Sequence, residues 1–120
     1  MTRITAQLSD LPAQTTAHGH GTKRVFLTNA DTPTALTQFA HGTFARHEYC
    51  DWHAHPTMEE IFHVLDGEGT YYVGDETIPL RAGVFVRIPA GVRHRLETSS
   101  DQPLTYIYAG IATGDVPADR

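Results

Sequence analysis

A chain of 120 residues, 40% of them hydrophobic, carries enough apolar material for one compact core and too little for a comfortable second domain. With 19% charged residues and a formal net charge of −5, it has no global positive field, which argues against nucleic acid or an anionic membrane as a partner. Residues Met1 to Gln14 lack the apolar run of a secretory signal, no stretch is long enough to span a bilayer, and the single cysteine, Cys50, forms no internal disulfide, so a cytoplasmic location is expected.

In chain order, residues 1–22 read as a polar N-terminal arm, either flexible or an edge strand that orders late, containing His18-Gly19-His20-Gly21. From Lys23 onward, short segments rich in Val, Ile, Phe, Tyr and Thr alternate with Gly, Pro, Asn and Asp, the pattern of many short strands. The expected strands are Arg24–Thr28, Thr34–His41, Thr43–Arg46, Asp51–His55, Glu60–Asp66, Gly69–Val73, Glu76–Leu80, Val84–Ile88, His94–Thr98 and Thr105–Ile111. Asp66-Gly67 and Gly74-Asp75 suit tight reversals, and Pro89-Ala90-Gly91 couples a fixed φ to a free one. Regular strands with such turns predict an all-β sandwich or barrel over residues 23–113, followed by a frayed tail over residues 114–120.

Eight histidines in 120 residues are the unusual feature of the composition, because imidazole is both the commonest metal ligand and the ordinary proton carrier near neutral pH. His53 and His55 stand two apart in a segment read as extended, which projects both from one face of a strand. Glu60 follows a bend at Pro56 and opens an apolar strand; His94 opens another strand after Pro89-Ala90-Gly91. Parity sets Glu60 with Phe62 and Val64, and its neighbour Glu59 with Ile61 and His63, which favours Glu60 as the inward carboxylate. Three imidazole nitrogens and one carboxylate oxygen suit a single divalent ion of Fe, Mn, Co, Ni or Zn, with positions left for water or substrate.

At these residues the chain resembles the cupin superfamily. That family's first motif, Gly-x5-His-x-His-x4-Glu-x6-Gly, is met by His53, His55, Glu60 and Gly67, and its second, Gly-x5-Pro-x-Gly-x2-His-x3-Asn, by Gly83, Pro89, Gly91 and His94. Fifteen residues separate Gly67 from Gly83, as in short microbial members, and the resemblance runs from about residue 36 to 110. It implies a single cupin β-barrel, a double-stranded β-helix of jelly-roll type, with His53, His55, Glu60 and His94 as metal ligands. His47 stands where the first motif has its leading Gly, and Thr98 where the second ends in Asn; histidine tolerates left-handed turn geometry better than most residues.

Other chemistry-bearing residues are weighed against plainer roles. His18 and His20 repeat the His-x-His spacing but lie among glycines with no carboxylate nearby, so they are read as loop histidines. Cys50, three before His53, is expected to point away from the histidine pair and to serve as a packing residue. His41, His47 and His63 are expected near the surface, and Arg81, Arg93 and Arg95 on rims or outer faces. Tyr71, Tyr72, Tyr106 and Tyr108 lie on strands where aromatics fill a barrel. Tyr106 and Tyr108 share one face and are candidates to orient substrate or move a proton beside a metal. Arg87 is a candidate pocket cation if its face is inward, and a snorkelling surface arginine if it is not.

The reading that follows is a metal-dependent enzyme of dioxygenase, isomerase or lyase type, acting on a small oxygenated or carboxylated metabolite. The alternative is a metal-assisted small-molecule binding or sensor module without turnover; no DNA-binding helical segment accompanies the barrel, which weighs toward the enzyme. Exposed sheet edges predict a homodimer, with the N-terminal arm as the element to be exchanged.

Overall fold

The structure, a computed structural model, describes residues 3–16 and 19–114. Period-two alternation of apolar and polar side chains produces ten strands: β1 (Gln14–Thr15), β2 (Thr22–Thr28), β3 (Leu36–Phe44), β4 (Tyr49–His53), β5 (Met58–Asp66), β6 (Gly69–Val73), β7 (Glu76–Leu80), β8 (Phe85–Ile88), β9 (His94–Thr98) and β10 (Leu104–Ala112). They form a six-stranded sheet in the order β1-β2-β3-β10-β5-β8 and a four-stranded sheet in the order β4-β9-β6-β7. The two antiparallel sheets enclose a core that includes Phe44, Phe62, Val64, Tyr71, Val86, Ile88, Leu96, Leu104 and Tyr106. In β5, Met58, Glu60, Phe62 and Val64 are buried while Glu59, Ile61 and His63 turn outward, as parity predicts.

Two expectations are corrected, and the N-terminal arm includes the edge strand of its second reading. The strands expected at Thr34–His41 and Thr43–Arg46 are one continuous strand, β3, because Gly42 is no turn. It makes room for the Tyr106 ring, which a Cβ at Gly42 would meet at 2.5 Å. The strand expected at Asp51–His55 begins at Tyr49 and ends at His53, leaving His55 in the following connection. In the expected arm, Gln14 and Thr15 pair with Lys23 and Thr22 of β2, and Leu11 is buried. His18 and most of the expected tail lie outside the described residues.

The turns are set by local chemistry. His47 has φ 66°, so the left-handed turn that the leading motif position demands is formed without glycine. Gly67 has φ 85°, and a Cβ there would lie 2.4 Å from the Pro103 carbonyl oxygen, so it meets both a backbone and a space requirement.

Candidate functional site

His53, His55, Glu60 and His94 converge between the two sheets, with one potential ligand atom from each lying within 4.8 Å of the others. His53 ends β4 and His94 opens β9, and the two are register partners. Their rings stand 4.0 Å apart, centroid to centroid. His55 is positioned from the connection, where its carbonyl accepts a hydrogen bond of 2.8 Å from the Gly91 N–H of the Pro89–Gly91 turn. Glu60 comes from β5 in the opposite sheet and sets Oε1 at 3.3 Å from His55 Nε2 and 3.6 Å from His94 Nε2.

Supporting contacts orient the rings. His94 Nδ1 donates to the Val92 carbonyl at 2.9 Å, and His53 Nδ1 donates to the Asp51 carbonyl at 2.8 Å, which places the lone pair of each ring on Nε2. His94 is 0% exposed, and its Nε2, too far from Glu60 for a full hydrogen bond, has no hydrogen-bond partner among the described residues. A buried imidazole nitrogen left in that state is costly unless something else engages it. Burial pushes the Glu60 carboxyl up, but the facing His55 and His94 outweigh burial and bring it down to about 2. The donor set of three imidazoles and one ionised carboxylate, with an orphaned buried nitrogen among them, fits a first-row divalent ion.

Beside the cluster lies a cavity of about 340 Å3, walled by Phe44, Phe62, Tyr71, Leu96, Tyr106 and Tyr108 and edged by Thr16, Lys23 and Gln38. Phe62 and Tyr108 stack at 5.3 Å, and the Tyr108 hydroxyl donates to Gln38 Oε1 at 3.3 Å. Tyr106 and Tyr108 thus both face the site, joined by Tyr71, whose ring lies 6.0 Å from His94. Burial, followed by nearby negative charge, raises the pKa of all three phenols. They stand in the cavity as neutral proton donors, so Tyr106 and Tyr108 suit the base role poorly at neutral pH.

Arg87 is not a pocket residue. It pairs in register with outward Ile61, its side chain is 60% exposed, and its guanidinium binds the Glu59 carboxylate on the outer face. Cys50, by contrast, faces inward, with Sγ 3.5 Å from His53 Nδ1. A bulge in β4 sets Cys50 opposite Leu96 and His53 opposite His94, three steps against two, and so returns both to one face. Burial, then the Glu60 and Asp51 charges, push its thiol up to about 12, which makes it a packing group and not a nucleophile. Lys23, Gln38 and Thr16 were not singled out by sequence reasoning; the parity of Gln38 with Ala40 and Gly42 was the one available signal.

The sequence profile of the cupin domain matches residues 40–110. The chain belongs to the cupin family. Among solved structures, this cupin is similar to a predicted oxalate decarboxylase from Thermotoga maritima (TM-score 0.84, 18% identity, 91% of this chain and 99% of that one). It is also similar to the polyketide cyclase RemF from Streptomyces resistomycificus (TM-score 0.76, 20% identity, 98% of this chain and 83% of that one). At such identities the likeness shows the fold. The polyketide synthase CurC of Streptomyces cyaneus is 34% identical over 56 residues, which are 47% of this cupin and 36% of that protein. The cupin spans less than half the length of the curated relatives it matches.

Proposed function

We propose that this cupin holds one divalent metal ion, of Fe, Mn, Co, Ni or Zn, on His53, His55, Glu60 and His94, and that it is a metal-dependent enzyme acting on a small oxygen-rich molecule in the adjoining cavity. The observation that carries the reading is His94 Nε2, fully buried with no hydrogen-bond partner among the described residues and grouped with the other three ligand groups. When bound, such an ion supplies a Lewis acid that polarises a carbonyl or enol oxygen.

The chain's own residues supply the rest. Phe62 and Tyr108 offer a stacked aromatic wall against which a flat substrate lies and from which water is excluded. The neutral hydroxyls of Tyr71, Tyr106 and Tyr108 hold protons that can be donated to a substrate oxygen as negative charge develops there. Several proton-holding groups around one aromatic cavity favour isomerase or lyase chemistry, in which bonds rearrange by proton transfer. Two of the relatives bear polyketide cyclase or synthase names.

The test is metal analysis of untagged protein, beside the variant His55→Ala. One equivalent of a first-row ion is expected in the wild type, with most of it lost in the variant at unchanged circular dichroism, because His55 lies in a connection between strands. A wild-type chain that stays metal-free when offered each of these ions overturns the reading. Turnover of oxygenated carbonyl compounds by the loaded protein, lost in Tyr106→Phe, separates an enzyme from a binding module.

A further inference from the structure

Among the described residues, two Lys, Arg, Asp or Glu side chains line the cavity, Glu60 and Lys23. Glu60 is engaged by His55 and sits among the imidazoles. Lys23 reaches in from β2, three strands away in the sheet order β2-β3-β10-β5, and forms no ion pair with any described residue. β3 carries Gly42 as the register partner of Lys23, so the neighbouring strand sets no side chain of its own beside the lysine, and the Tyr106 ring takes the space a Cβ there would fill. Burial pulls the Lys23 pKa down, and the Glu60 charge, too distant to pair, pulls it back up.

A half-buried ammonium without a counter-ion is an unfavourable arrangement that an anion entering the cavity relieves. The cluster end of the cavity already combines three neutral ligands, one carboxylate and the proposed divalent cation, a net positive site. Lys23 adds a second positive point from β2 of the six-stranded sheet.

We propose that Lys23 is a specificity-determining residue that anchors an anionic substrate: a flat molecule whose carboxylate or enolate oxygen pairs with the Lys23 ammonium while its other oxygens face the His/Glu cluster. The inference rests on the cavity being the ligand site of the proposed function, and it names the charge and shape of what enters.

The experiment is calorimetric titration with para-hydroxybenzoate and its neutral counterpart para-hydroxybenzamide, using chelator-treated and zinc-loaded protein. The wild type is expected to prefer the anion, by a margin that shrinks with rising ionic strength. Lys23→Met, which keeps the apolar stem, is expected to weaken the anion about tenfold, the size of one charge-assisted hydrogen bond, and to leave the amide unchanged. Lys23→Arg is expected to retain most of the preference. A Lys23→Met protein that keeps the wild-type preference, or a wild type that binds the two probes equally or not at all, overturns the proposal. If Lys23→Met fails to fold, Lys23→Gln and the salt dependence of the wild type give the same reading. Metal content is measured in the same samples: its absence with the Lys23 effect intact defeats the metal reading alone, and its presence with no Lys23 effect defeats this one alone.

Discussion

Glu48 fastens three separate segments. Its carboxylate accepts hydrogen bonds from Gly21 N–H at 2.9 Å and Ala45 N–H at 2.7 Å, while its carbonyl accepts from Thr98 Oγ1 at 3.1 Å. The bonds from Gly21 and then Ala45 hold the carboxyl below the ordinary glutamate value. A group with a lowered folded pKa contributes stability above its unfolded value, near about 4.3, and loses it as pH falls through the folded pKa. Glu48→Gln is therefore expected to cost about 1 kcal/mol at neutral pH, with the gap to wild type closing below about pH 4. Urea denaturation at the two pH values checks this; a gap that persists in acid would show that shape, and not charge, is at work. The four cluster residues could be located from the spacing of His53, His55, Glu60 and His94, because those spacings encode strand faces and turns. Cys50 could not, since the bulge that turns it inward depends on how β4 meets β9. Arg87 resolved outward because its partner, Glu59, lies on a strand that sequence separation hides.

At the scale of elements, two turn glycines share a left-handed backbone and differ in their surroundings. Gly91 has φ 82° with nothing within 4 Å of an added Cβ, whereas Gly67 has φ 85° and backbone atoms of Pro103 and Leu104 at 2.4 and 2.8 Å. Gly91→Ala carries only the conformational penalty, about 1–2 kcal/mol. Gly67→Ala must also push apart the turn after β5 and the start of β10, and is expected to cost at least about 2 kcal/mol more. Denaturation midpoints of the two variants decide it, and equal midpoints would mean that the Pro103 segment yields freely. The same distinction limits what sequence can say of these strands. Alternation located most of them, since burial on one face is a local property, whereas Gly42 looked like a break because the ring that needs its space comes from Tyr106 on β10. Pairing order across the sheets was equally out of reach, since β3 lies beside β10 only after most of the chain has closed on itself.

At the scale of the molecule, the candidate centre is a junction. His53 and His94 belong to the four-stranded sheet and Glu60 to the six-stranded one, so the proposed ion ties the two sheets together at one end of the sandwich. The apolar core needs no such tie: Val64, Ile88, Leu96 and Leu104 are each no more than 2% exposed, and they pack the sheets by apolar contact. The metal-free chain is thus expected to fold, and the ion to add stability by binding the native state alone. At a hundredfold excess over its dissociation constant that addition is about 2.7 kcal/mol, or roughly a 10 °C rise in melting temperature for a domain of this size. Glu60→Ala removes the one ligand contributed by the far sheet, and its melting temperature should respond to metal far less than that of the wild type. Thermal melts with metal and with chelator measure both. A wild type whose melting temperature ignores the ion, or a Glu60→Ala protein that responds as fully as wild type, would show that no ion bridges the sheets through this carboxylate.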